Sequence, residues 1–130
     1  MVIVTVMVRE LGSTKPDYSL KFELPEIPRV GSYISVTRPD TPKAYSEEDL
    51  VVRHVWWRLY HPETSAVSAE NKRMGKATEI VVECDPALGP WARDKWRNMM
   101  ESAASSGVEV EHFPITRLVI RESDLPSGNT

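Results

Sequence analysis

The eleven residues Leu50 to Tyr60, LVVRHVWWRLY, constrain this chain more than any other stretch, because they place Trp56 and Trp57 side by side in a segment built for a β-strand. Side chains alternate across a strand, so the two indole rings face opposite sides of one sheet. Unbroken alternation sorts the segment into an odd series, Val51, Val55, Trp57 and Leu59, and an even series, Val52, His54, Trp56 and Tyr60. Both series carry apolar bulk, so both faces call for a cover. One face can line a core; the other needs a helix, another chain or a ligand.

The remaining elements follow from periodicity. Met1 to Arg9 is a β-branched run that reads as a first, largely buried strand, and Tyr18 to Leu24 alternates cleanly, with Tyr18, Leu20, Phe22 and Leu24 inward. Ser32 to Thr37 gives a third strand with Ile34 and Val36 inward. Arg38 to Asp49, with Pro39, Pro42 and the acidic run Glu47-Glu48-Asp49, reads as a long exposed loop with solvated carboxylates, and His61 to Lys76 reads as a second one carrying Lys72, Arg73 and Lys76. Thr78 to Cys84 is the fifth strand, ended by Asp85-Pro86. Ala92, Trp96, Met99, Met100 and Ala103 then recur at helical spacing, which predicts an amphipathic helix over 90–105, stopped at Gly107. A last strand is expected from Ile115 to Glu122, with further pairing around Val108 and Val110.

The predicted order is thus β-β-β-β-β-α-β within one domain over residues 1–124, followed by a flexible tail at 125–130. Sequential strands separated by loops favour an antiparallel meander. The fold class is β-rich α+β: a strongly bent antiparallel sheet or small SH3-like barrel of about six strands with one amphipathic helix. Trp96, Met99 and Met100 of that helix are the expected cover for the Trp56 face.

Composition narrows the function classes. A net charge of −3 and a pI near 5.6 offer no global field for nucleic acid or an anionic membrane. The start MVIVTVMVRE lacks a signal peptide, no run is long enough to span a membrane, and the lone Cys84 has no intrachain disulfide partner, so a cytoplasmic, soluble protein is expected. His54, His61, His112 and Cys84 are scattered without a metal-binding spacing, and no phosphate loop is present, so no metal, cofactor or catalytic group is assigned. Cys84 just ahead of a helix is the one opening for a cysteine-dependent enzyme; its alternation with Ile80 and Val82 favours a buried filler. Glu79/Glu83 and Glu109/Glu111 alternate on outward faces, where carboxylates supply solubility.

What remains is recognition. Trp56 and Tyr60 on one strand face, with Arg58 beside them, suit stacking on a base, a sugar or a proline-rich peptide, and Trp91 at the helix start is the tryptophan least required by the helical stripe. If the last strand neighbours the tryptophan strand, Arg53, Arg58, Arg117 and Arg121 form a basic stripe suited to single-stranded nucleic acid. The candidate partner-binding residues are therefore Trp56, Arg58, Tyr60, Trp91, Arg117 and Arg121. Pro28-Arg29-Val30-Gly31-Ser32-Tyr33-Ile34, followed after a loop by Val51-Val52-Arg53-His54-Val55-Trp56-Trp57, resembles small bacterial or phage SH3-like β-barrel proteins, in which a Pro-x-x-Gly turn starts a strand. That resemblance implies a fold and no activity. The expected function is a non-enzymatic binding or assembly module acting on a protein partner or on itself, with single-stranded nucleic-acid binding as the alternative.

Overall fold

The computed structural model describes residues 1–41, 46–63 and 73–114. The elements are β1 (Val2–Arg9), β2 (Pro16–Leu24), β3 (Tyr33–Thr37), β4 (Glu47–Tyr60), β5 (Lys76–Leu88), α1 (Asp94–Ser105) and the short β6 (Glu111–His112). They form a strand-rich α+β fold, a strongly curled half-barrel sheet with one helix. The strand expected at Ile115 to Glu122 and the tail at 125–130 lie outside the described residues.

The strand order is β2-β1-β5-β4-β3, with β6 added to β5. It departs from a meander at two places: β1 and β5 pair parallel, Thr5 with Val81 through Val8 with Cys84, and β6 pairs parallel with β5 at Ala87 and Leu88, while β1–β2, β3–β4 and β4–β5 are antiparallel. The reason for the first lies in burial. Placing the equally apolar β5 beside β1 brings Val82 and Cys84 onto the same buried face as Val4, Val6 and Val8 and makes β1 an interior strand between β2 and β5. The core lies on the inner face of the curl, where Val4, Val6, Val8, Val36, Leu50, Val52, Ile80, Val82 and Cys84 pack with Phe22, Ile27 and Val55 along its margin.

The helix forms a second, smaller cluster. Trp96 and Met100 are buried with Leu88 and Ala92 against Leu11, Met99 and Val110, and the Trp96 indole N–H donates to the Ala87 carbonyl at 2.8 Å. That anchor fixes α1 at the end of β5 where the chain leaves the sheet. Gly107, at φ +96°, closes the helix in a left-handed turn: its N–H bonds the Ala104 carbonyl at 3.1 Å and that of Val108 bonds Ala103 at 3.1 Å. The helix therefore buries its apolar stripe at one end of the sheet and leaves the tryptophan pair uncovered, contrary to the sequence expectation.

The helix start, two strand boundaries and one register differ from the sequence reading. Helix α1 begins at Asp94, not at residue 90, so Trp91 and Ala92 precede it. Strand β4 begins at Glu47, so the acidic run lies within the sheet; Glu48 and Asp49 are buried because each finds a partner inside. Strand β5 begins at Lys76 and continues through Asp85-Pro86 to Leu88; Pro86 lies beyond the last β1–β5 pair, Val8 with Cys84, so its missing N–H is not required there. Finally, Val52 pairs with Cys84 and His54 with Glu83, which makes Arg53 an extra residue, a β-bulge. The bulge exchanges the faces of β4 beyond it. Val52 now shares the inner face with Val55 and Trp57, and Val51 shares the outer face with His54 and Trp56, which breaks the strict odd and even series.

Candidate functional site

Strands β4 and β5 are longer than the strands beside them, and that mismatch creates the most unusual surface of the molecule. β3 accompanies β4 from Thr37–Glu47 to Tyr33–Val51, and its approach ends where the Gly31 N–H and Ser32 carbonyl bond Val52, at 2.8 and 2.9 Å. β1 meets β5 only from Val81 onward. Among the described residues, Trp57 to Tyr60 and Lys76 to Ile80 thus pair with each other alone, as a two-stranded arm, and the outer edge of β4 is free from His54 to Tyr60. Alternate residues of a strand direct their N–H and C=O groups to opposite edges, so this edge presents unpaired backbone donors and acceptors.

The arm carries an apolar surface that water would ordinarily exclude. Trp56 is 61 % exposed, Trp57 50 %, Leu59 75 % and Tyr60 57 %. Cross-strand pairing assigns the faces: Trp57 lies opposite Ile80 and Val55 opposite Val82 on the inner side, while Trp56 lies opposite Val81 on the outer side. A second bulge falls in β5, where Arg58 pairs with Glu79 and Leu59 with Ala77, leaving Thr78 extra; its hydroxyl donates to the Arg58 carbonyl at 3.3 Å. Strand β4 itself stays regular from His54 to Tyr60. At the tip Gly75 sits against His61 and Tyr60, where an added Cβ would come within 2.7 Å of the His61 ring. Arg73 pairs with Glu63 across the same tip.

Electrostatically the arm is neutralised from within. On its outer face Arg58 pairs with Glu79 at 3.1 Å, His54 Nδ1 lies 3.1 Å from Glu83, and the Thr5 hydroxyl donates to Glu79 at 3.2 Å. Trp56 therefore stands between two polar pairs. The other arginine of β4, Arg53, turns toward the opposite end of the molecule, where it bonds Asp85 at 3.0 Å and Glu111 at 2.9 Å; Arg9 reaches Asp85 at 2.7 Å. The hydrogen bonds to Glu111 and Asp85 hold the Arg53 guanidinium above its ordinary range. Arg53 and Arg58 are thus both committed to carboxylates and make no continuous basic stripe. Arg117 and Arg121 lie outside the described residues.

Trp91 is 81 % exposed, yet it does not join the arm. It follows the far end of β5, on the order of 40 Å along that strand from Lys76, beside a small cavity of about 210 Å³ lined by Tyr33, Ile34, Asp49 and Phe113. Tyr33 and Phe113 meet edge to face there at 5.0 Å. A larger cleft of about 760 Å³ opens between the Glu10–Thr14 turn and Gly107–Glu111, with the Arg53–Asp85 pair in its wall. Of its charged side chains, Arg53 bonds Asp85 and Glu111, while Glu10 and Glu109 add further negative charge to the wall.

Cys84 is fully buried beside Val82, ten residues ahead of the first helical residue, Asp94, so no helix N-terminus acts on it. Burial pushes its thiol up to about 12, opposite to what a nucleophile needs. Among the described residues no cluster of three or more His, Cys, Asp or Glu side chains could hold a metal ion. No helix is long and apolar enough to cross a membrane among those residues.

Sequence reasoning singled out Trp56, Arg58 and Tyr60, which the structure brings together on the outer face of the arm, and missed Trp57 and Leu59, which complete its apolar surface on the inner one. The signal for them was length: the apolar part of β4 outruns the Ser32 to Thr37 strand that was to pair with it. The chain matches no protein-family model, no curated protein and no solved structure.

Proposed function

We propose that this protein is a non-enzymatic binding and assembly module whose working surface is the β4–β5 arm. The observation that carries the reading is the exposure of Trp56, Trp57, Leu59 and Tyr60 on one projecting strand with a free edge. Contiguous exposed apolar side chains mark interaction sites, since a surface tryptophan contributes nothing to the fold that a smaller residue would not. A free edge adds main-chain hydrogen bonding to side-chain burial, the combination used in strand addition. Arg58 is paired with Glu79 and Arg53 with Asp85 and Glu111, so neither offers a free cation to single-stranded nucleic acid.

Replacing Trp56, Trp57 and Leu59 together by serine tests the reading. The variant should keep the parent's far-UV spectrum and melting temperature and lose its binding of an apolar dye. Loss of the fold would make these residues core and defeat the reading.

A further inference from the structure

We infer that the arm's partner is a second copy of this chain, joined by antiparallel pairing of the two free β4 edges about a two-fold axis at Trp57. The inference rests on the arm being the working surface, and the alternation of β4 supplies the rest. In such a pair the sheet continues from one copy to the other, so inner-face residues lie opposite inner-face residues. A dyad must then pass through a residue, and two candidates present themselves, Trp56 and Trp57.

The neighbouring strand decides between them. With the dyad at Trp56, Tyr60 would lie opposite Val52 of the other copy, whose N–H and C=O already bond Ser32 and Gly31. With the dyad at Trp57, the seven residues from His54 to Tyr60 pair entirely within the free stretch, and the overlap stops where β3 begins. The side chains match in that register. Trp57 meets Trp57 of the second copy, and Val55 meets Leu59, on the inner face. On the outer face Trp56 meets Arg58, held in position by Glu79 and 63 % exposed, in the arrangement of a cation–π contact that the symmetry repeats. His54 meets Tyr60. No like charges are opposed.

Paired edge to edge, the two copies are joined by main-chain hydrogen bonds over His54 to Tyr60 and by the lateral contacts of Trp56, Trp57, Leu59 and Tyr60 on the two faces.

Sedimentation of the full chain up to on the order of 100 µM is expected to show a dimer, and Trp57→Lys, which opposes two like charges at the axis, should weaken it by at least about 30-fold without lowering the melting temperature measured where the parent is monomeric. The register is tested by cysteine substitution, the native Cys84 being buried. Trp57→Cys should cross-link to itself on mild oxidation, since directly opposed Cα atoms lie about 4.5–5.5 Å apart, and Trp56→Cys should not. Self-cross-linking of Trp56→Cys alone would overturn the register. A monomer whose tryptophans are readily quenched by acrylamide would overturn self-pairing and leave the arm open to another protein. A monomer with shielded tryptophans would overturn both, because the chain's own residues would then cover the arm.

Discussion

The two halves of β4 invert the usual relation between polarity and burial. The first half begins with Glu47, Glu48 and Asp49, yet Glu48 is only 3 % exposed and Asp49 6 %; the second half carries Trp56, Trp57, Leu59 and Tyr60 and is largely exposed. The difference is one of neighbours. From Glu47 to Val51 the strand is paired with β3, joined by β5 from Leu50 onward, and polar partners converge on each carboxylate. Glu48 accepts from the Tyr18 hydroxyl and from Arg38, both at 2.6 Å, with the Arg38 guanidinium stacked 3.8 Å from the centre of the Tyr18 ring. Asp49 accepts from the Ser35 hydroxyl at 2.8 Å and the Gly89 N–H at 3.1 Å. Beyond Val52 the same strand has β5 alone. Burial is decided by how many layers surround a residue, and a satisfied carboxylate inside is tolerated where an aromatic outside finds no cover.

If that contrast is correct, the small acidic residues hold the fold and the large aromatic ones do not. Glu48→Ala should cost the most, about 3 kcal/mol in urea denaturation, because it strands the Arg38 guanidinium, whose Nε is already buried without a partner, and frees the Tyr18 hydroxyl. The double variant Glu48→Leu with Arg38→Met should recover much of that loss, since no charge is then left unpaired and only the Tyr18 hydroxyl still lacks its acceptor. Asp49→Ala comes next, about 2 kcal/mol, for leaving the Gly89 N–H and Ser35 hydroxyl without their acceptor.

Cys84, opposite Val52 in the covered half, gives a pH signature. Its folded value, about 12, lies above that of an unfolded thiol, which binds fewer protons in alkali. Its contribution to stability is therefore complete below about pH 8.5 and is lost as pH rises toward 12, with a slope of about 1.4 kcal/mol per pH unit. Burial and the bond to Glu48 raise the Tyr18 hydroxyl in the same direction. Alkaline denaturation of Cys84→Ala should lack the thiol's share of this slope; an unchanged profile would show that the thiol is not held protonated.

The smallest effects belong to the exposed half. Trp56→Ala and Trp57→Ala, made separately and studied at a concentration where the protein is monomeric, should each change stability by less than about 1 kcal/mol. A loss near that expected for a buried tryptophan, about 3–5 kcal/mol, would abolish the contrast between the halves.

Much of the fold was legible from local pattern. Alternation located β1, β2, β3 and the middle of β4 and β5, and the spacing of Ala92, Trp96 and Met100 located the helix together with the residues it buries. The pairing of β1 with β5 was not, because a meander and a parallel crossing demand the same apolar strands. The binding residues divided in the same way. Exposure of Trp91 follows from its position outside the helical stripe. Trp57 was hidden by the assumption of unbroken alternation, which a single extra residue, Arg53, reverses for everything after it.

The sequence by itself determined which segments are strands, which form the helix and which side chains are apolar enough to require burial, because those follow from periods of 2 and 3.6 residues. Only the tertiary structure decided which of those side chains receive it. Strand lengths relative to their neighbours, the bulge at Arg53 and the docking of Trp96 at the end of β5 are long-range outcomes. They left Glu48 and Asp49 inside with partners and the Trp56-Trp57 pair outside.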